Sequence, residues 1–161
     1  MKIYHGSLNI VQTPEIRLSE RTLDYGNGFY ATTSYEQALA WVKRKLQGEE
    51  HKKGYINLYE LDLESIKDLQ VLIFTEPTDE WVDFVMQNRT QKDFSHNYDI
   101  VYGPVANDKV YASFALYESG LINKQTLISE LKTYKLVDQY LFHTEKALEK
   151  IKFIKVEEIE L

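Results

Sequence analysis

The chain of 161 residues contains no cysteine, which removes disulfides, thiolate metal sites and thiol nucleophiles from consideration. It has no apolar run near the length of a membrane span. Its first residues, Met1-Lys2-Ile3-Tyr4-His5, lack the apolar stretch of a secretory signal. A cytoplasmic protein without membrane contact is expected. Positive charge is also in short supply: 19 Lys and Arg stand against 25 Asp and Glu, a net charge of -6. That balance disfavours a surface for non-specific nucleic-acid binding. One basic cluster exists, Lys43, Arg44 and Lys45 followed by His51, Lys52 and Lys53. It reads as a solvated helix end with its loop, or more sharply as a patch for an anionic target. The four histidines (His5, His51, His96 and His143) show no metal-ligand spacing, and no His-Glu-x-x-His helix, Gly-x-Ser-x-Gly elbow or phosphate-cradling Gly-Lys loop occurs. No metal is expected.

What remains is apolar and aromatic. Hydrophobic residues make up 43% of the chain and aromatics 13%, with twelve tyrosines, enough for one packed domain over residues 1–161. Patterning predicts short strands at 2–4, 28–32, 55–61, 69–74, 98–102, 139–142 and 151–156. Gly103-Pro104 is expected to stop the fifth of these. Ser34-Tyr35-Glu36-Gln37 is a capping box opening a helix to about Leu46, with Ala38, Trp41, Val42 and Lys45 on one side and Gly48 closing it. Thr78-Asp79-Glu80 reads as a second helix start, with Trp81, Phe84 and Val85 facing the core. Residues 107–136 read as a helical hairpin turning at Gly120, and Thr144 as the cap of a last short helix. Strands mostly not separated by regular helices make this an α+β domain.

Three short motifs carry the functional signal. His5-Gly6-Ser7 ends the first strand, Gly26-Asn27-Gly28-Phe29-Tyr30 delivers an aromatic on the second, and Asp138-Gln139-Tyr140-Leu141-Phe142 lies near the end. Each has a plain structural reading: a strand-end histidine before a turn, a core aromatic, a half-buried strand. In their order they resemble the signatures of the ADP-ribosyltransferase superfamily, in the His-Tyr-Glu branch of diphtheria toxin and the poly-ADP-ribose polymerases. The chain is also similar over nearly its whole length to a bacterial family of uncharacterised proteins in that superfamily, through these motifs and Asp99-Ile100-Val101-Tyr102-Gly103-Pro104-Val105-Ala106-Asn107-Asp108.

The resemblance implies a split core of two small, bent sheets with flanking helices and the hairpin inserted before the last strands, and NAD bound in the cleft. His5 would hydrogen-bond the adenosine-side ribose, and Gly6, with Ser7 and Gly28 nearby, would hold the nicotinamide amide. Tyr30 and Trp41, eleven residues apart, would sandwich the nicotinamide ring, a cation-π arrangement. Two departures stand out. Ala38 occupies the place of a serine that bonds the amide, leaving Thr32, Thr33 or Ser34 to replace it. Gln139 occupies the place of the catalytic Glu, and a neutral amide can accept from the ribose 2′-OH without supplying charge. Mono-ADP-ribosyl transfer would then be slower, or Asp138 or Asp108 would substitute, or the site would bind NAD without turnover. Asn107 and Asp108 read equally as a helix N-cap and as substrate-contacting residues.

The resemblance thus implies mono-ADP-ribosyl transfer from NAD to a macromolecular acceptor with release of nicotinamide. Catalysis would rest on His5, Tyr30 and Gln139. The compact size suggests, by analogy, a bacterial toxin or defence effector with a neutralising partner protein. The alternatives are a non-catalytic module for NAD or ADP-ribose, and a protein-interaction domain using the hairpin.

Overall fold

The computed structural model describes residues 1–17, 23–48, 50, 53–91, 93–105, 108–133 and 136–161, with backbone alone at 108–111. The expected Asn107 site and residues His51 and Lys52 lie outside the described residues, as does the Asp108 side chain. The fold is α+β, with two sheets and five helices among the described residues.

The first sheet has the order β1-β3-β7, formed by β1 (Lys2–Ser7), β3 (Lys53–Leu61) and β7 (Ile151–Glu160), all antiparallel. The second has the order β2-β6-β5-β4, from β2 (Phe29–Ala31), β6 (Val137–Phe142), β5 (Ile100–Val105) and β4 (Val71–Ile73). Only β4 and β5 are parallel. Period-2 alternation gives each strand two different faces. Phe29, Ala31, Tyr140, Phe142 and Ile100 of the second sheet meet Ile3, Tyr59 and Leu61 of the first, forming the core between the sheets. On the far face of the second sheet, Val101 and Leu141 lie under three helices: α2 (Asp79–Thr90), α3 (Asp108–Glu118) and α4 (Lys124–Lys132).

Helix α1 (Tyr35–Leu46) covers the outside of the first sheet. Ser34 caps it by accepting from the Gln37 amide at 3.1 Å. The reciprocal half of the box is absent, because the Ser34 N–H donates to Thr32 Oγ1 instead. Ala38, Val42 and Leu46, one turn apart, are buried against Ile56 and Ile159. Burial of each larger side chain contributes roughly 1.5–3 kcal/mol. Trp41 falls at the margin of this face and stays 36% exposed, with Lys45 Nζ 5.4 Å above its ring.

Among the boundaries that differ from the sequence reading, three are informative. β5 is not stopped at Gly103-Pro104 but runs through both to Val105. The Tyr102 carbonyl accepts from the Phe74 N–H of the β4 side. By alternation the Pro104 nitrogen faces the same side, beyond the end of β4, so its missing N–H leaves no ladder bond broken. The second hairpin helix starts only at Lys124. Gly120 closes α3 at φ 82°, with Leu121 N–H on the Leu116 carbonyl, and Asn123 caps α4 through the Thr126 amide. The last strand extends to Glu160, four residues past the expected end. Helix α5 (Glu145–Leu148) begins at its expected Thr144 cap.

Candidate functional site: an interrupted seam between the two sheets

β1 and β2 meet at one isolated antiparallel bridge, Tyr4 with Thr32. Both main-chain bonds form there, at 2.7 and 2.9 Å. Continued in register, the ladder would set Gly6 opposite Tyr30. It does not continue, because the Tyr30 carbonyl accepts from the His5 ring at Nδ1, 2.6 Å away. Strand alternation aims the Gly6 N–H and C=O to the same side as those of Tyr4, toward β2 and away from β3. An imidazole thus stands where a ladder bond would be, and the Gly6 peptide groups face a gap.

His5 is suited to that place. Burial lowers its pKa from 6.5 to about 4, outweighing the opposing effect of the Tyr30 carbonyl, so the ring is neutral at pH 7. A carbonyl only accepts, so Nδ1 carries the proton and Nε2 is a bare acceptor. Among the described residues no donor meets Nε2. The ring also packs on Phe29, 4.3 Å between centroids.

Gly6 is a glycine because of the helix behind it. A Cβ there would stand 2.8 Å from the Ala38 carbonyl, 2.9 Å from Val42 Cγ2 and 3.3 Å from Trp41 Cε3. This close approach brings Trp41 beside the seam. Tyr30 lies on the other side. Its hydroxyl donates to the Gly26 carbonyl at 2.6 Å and accepts from the Tyr25 amide, so the Gly-rich turn holds the ring. Gly28, at φ 150°, belongs to the same turn, and a Cβ there would collide with the Phe142 carbonyl. Ser7 Oγ accepts from the Asn9 amide and caps the turn after β1.

Gln139 sits on β6 opposite Gly103, and by alternation it shares with Tyr30 and Leu141 one face of the second sheet. Asp138, one residue away, faces the other side. Its carboxylate accepts from Thr32 Oγ1, the Thr33 amide, Thr33 Oγ1 and the Tyr102 hydroxyl. Burial and this carboxylate push the Tyr102 pKa up to about 12, so the phenol remains a donor. Thr32, Thr33 and Ser34, expected as replacements for the missing serine, are all occupied in these contacts and in capping α1. A cleft of about 330 Å³ opens beside Asp138, lined by Phe74, Pro77, Tyr102, Lys132 and Leu136 among others. His5, Gly6, Tyr30 and Trp41 do not line it.

Several supporting residues carry no motif. Asn57, fully buried in β3, donates to the His5 and Asn9 carbonyls and accepts from the Val11 amide, fixing the chain as it leaves β1. Its signal was a lone amide within the apolar run 55–61. His96 donates to the Tyr25 carbonyl and accepts from the Tyr98 amide, while His143 donates to the Asn27 carbonyl. The two rings, 4.2 Å apart, hold the Gly-rich turn from below. Among the described residues no group of three or more His, Asp or Glu is arranged to hold a metal ion, and no helix is long and apolar enough to cross a membrane.

Residues 1–153 match the model of a family described as "Protein of unknown function (DUF3990)". No curated protein matches the chain.

Proposed function

The chain belongs to the DUF3990 family, whose function is unknown, and from its site we propose that it is an NAD-dependent mono-ADP-ribosyltransferase on an ADP-ribosyltransferase-like split core. The observation that carries this reading is the interrupted seam. A planar amide such as that of nicotinamide offers one donor and one acceptor side by side, the complement of the Gly6 C=O and N–H facing the gap. Trp41 and Tyr30 flank that gap with aromatic rings. The His5 Nε2 lone pair accepts from a ribose hydroxyl, and Gln139 from the 2′-OH of the reacting ribose.

In the reaction the C1′–N bond to nicotinamide breaks and the ring leaves with the bonding pair. A nucleophile of a macromolecular acceptor forms the new bond at C1′ and loses its proton. The protein contributes position and a fixed set of dipoles. Asp138 has no place in this chemistry, because its oxygens are bound to Thr32, Thr33 and Tyr102. A cytoplasmic effector with a neutralising partner protein remains the biological expectation. The neutral Gln139 favours one other reading, a module that binds NAD without cleaving it.

Nicotinamide release from NAD by the purified chain, alone and with cell lysate, tests the proposal. Release that disappears in Tyr30→Ala and Gln139→Ala supports cleavage at this site, and dependence on lysate supports transfer. NAD that raises the melting temperature without release leaves the binding module. Absence of both effects overturns the NAD reading.

A further inference from the structure

Gln139 stands directly opposite Gly103 in the β5–β6 ladder. A Cβ on Gly103 would collide with the Tyr25 hydroxyl, so that hydroxyl lies over Gly103 and next to Gln139. Tyr25 is fully buried. Its hydroxyl donates to the Pro104 carbonyl at 2.7 Å and accepts from Trp81 Nε1 at 2.8 Å. A carbonyl can only accept and an indole N–H can only donate, so the single phenolic proton is fully engaged. Toward Gln139 the hydroxyl presents a lone pair and nothing else.

The Gln139 side chain rises beside Gly103 on the face where this lone pair lies. Its Nε2 is sealed from solvent and completes no hydrogen bond, although the residue as a whole keeps partial exposure. The opposite orientation would set Oε1 against the phenol oxygen, lone pair to lone pair. The NH2 end therefore faces inward and Oε1 faces out.

We propose that Tyr25, clamped by Trp81 and Pro104, is a positioning residue that makes this site specific for an amide at position 139, presenting Gln139 Oε1 as a fixed acceptor for a sugar hydroxyl. The proposal rests on the seam being the ligand site, and it explains why glutamine is used. A carboxylate in this place sets a charged oxygen against the Tyr25 lone pair and is stable only when its inner oxygen is protonated.

Gln139→Glu in the full chain tests this without any ligand. Titration of the introduced side-chain carboxyl carbon by NMR is expected to give a midpoint above the ordinary value of about 4.3. A midpoint at or below that value means that a donor faces residue 139, and it overturns the proposal. Nicotinamide release by the variant is expected only below the measured midpoint, falling about tenfold per pH unit above it. A Gln139→Glu rate above the wild type at alkaline pH overturns the proposal as well. If NAD neither loses nicotinamide to the wild type nor raises its melting temperature, the seam reading fails, while the carboxyl titration still decides the orientation. Should the variant not fold, the wild type serves: nuclear Overhauser contacts from the Gln139 amide protons to the Tyr25 ring support the proposal, and their absence overturns it.

Discussion

His5, half-buried, and His96, buried, are two neutral imidazoles that each donate to a main-chain carbonyl, Tyr30 for one and Tyr25 for the other. Burial lowers both pKa values. They differ in the second nitrogen. His96 accepts there from the Tyr98 amide and is complete within the fold. His5 keeps Nε2 open at a place where two strands have stopped pairing. A satisfied ring beneath a loop is a support, whereas a half-satisfied ring at a gap has bonding capacity left for a ligand. The same contrast separates Asp138, whose oxygens are occupied, from Gln139, whose outer oxygen is available.

His96→Leu strikes the support and orphans two buried main-chain groups, at about 1–3 kcal/mol each. The expected loss is about 4 kcal/mol in urea unfolding, against less than about 1 for His5→Gln, which leaves one such carbonyl near the surface. Equal losses would remove the distinction between the two rings.

Acid weakens the fold through the same groups. The unfolded His5 ring takes a proton below about 6.5 while the folded ring resists until about 4, so its stabilisation is complete above the first value and lost as pH falls toward the second. The loss is at most about 3 kcal/mol, with a further loss of the same sign from His96. Melting temperature against pH for the wild type and His5→Gln isolates the His5 share, and parallel curves would refute it.

Gly6→Val forces β1 off α1 and is expected to cost about 2 kcal/mol, with NAD binding lost at concentrations where the folded variant is still the main species. Calorimetry on the folded variant checks it. His5→Gln, nearly neutral for stability, is expected to weaken NAD binding about tenfold by exchanging the fixed ring acceptor for a freely rotating amide. Smallest is Lys45→Ala, which removes an exposed cation over Trp41. It is expected to change stability by about 0.5 kcal/mol and to shift Trp41 fluorescence without altering release.

Period and capping made most elements legible. Ser34, Thr78 and Thr144 marked helix starts through local bonds that need no tertiary partner. The β5 end was misread because the tolerance for Pro104 depends on where β4 stops, a fact about another segment. The seam was half legible. His5, Gly6 and Tyr30 carried a motif, but the interruption depends on a ring bond across 25 residues, and the Gly6 requirement comes from α1. Tyr25 and Asn57 act through partners between 46 and 79 positions away, and no local pattern announces them.

The long outer strand β7 has a consequence for life at high concentration. It forms one edge of its sheet, paired only with β3, and ten residues of open backbone would template a second chain. Lys152, Lys155, Glu157, Glu158 and Glu160 line it, all of them exposed. Another copy docking strand to strand would have to strip water from these charges and align them in unlike pairs. The border is thus guarded against self-association by the residues that look least specific in the sequence.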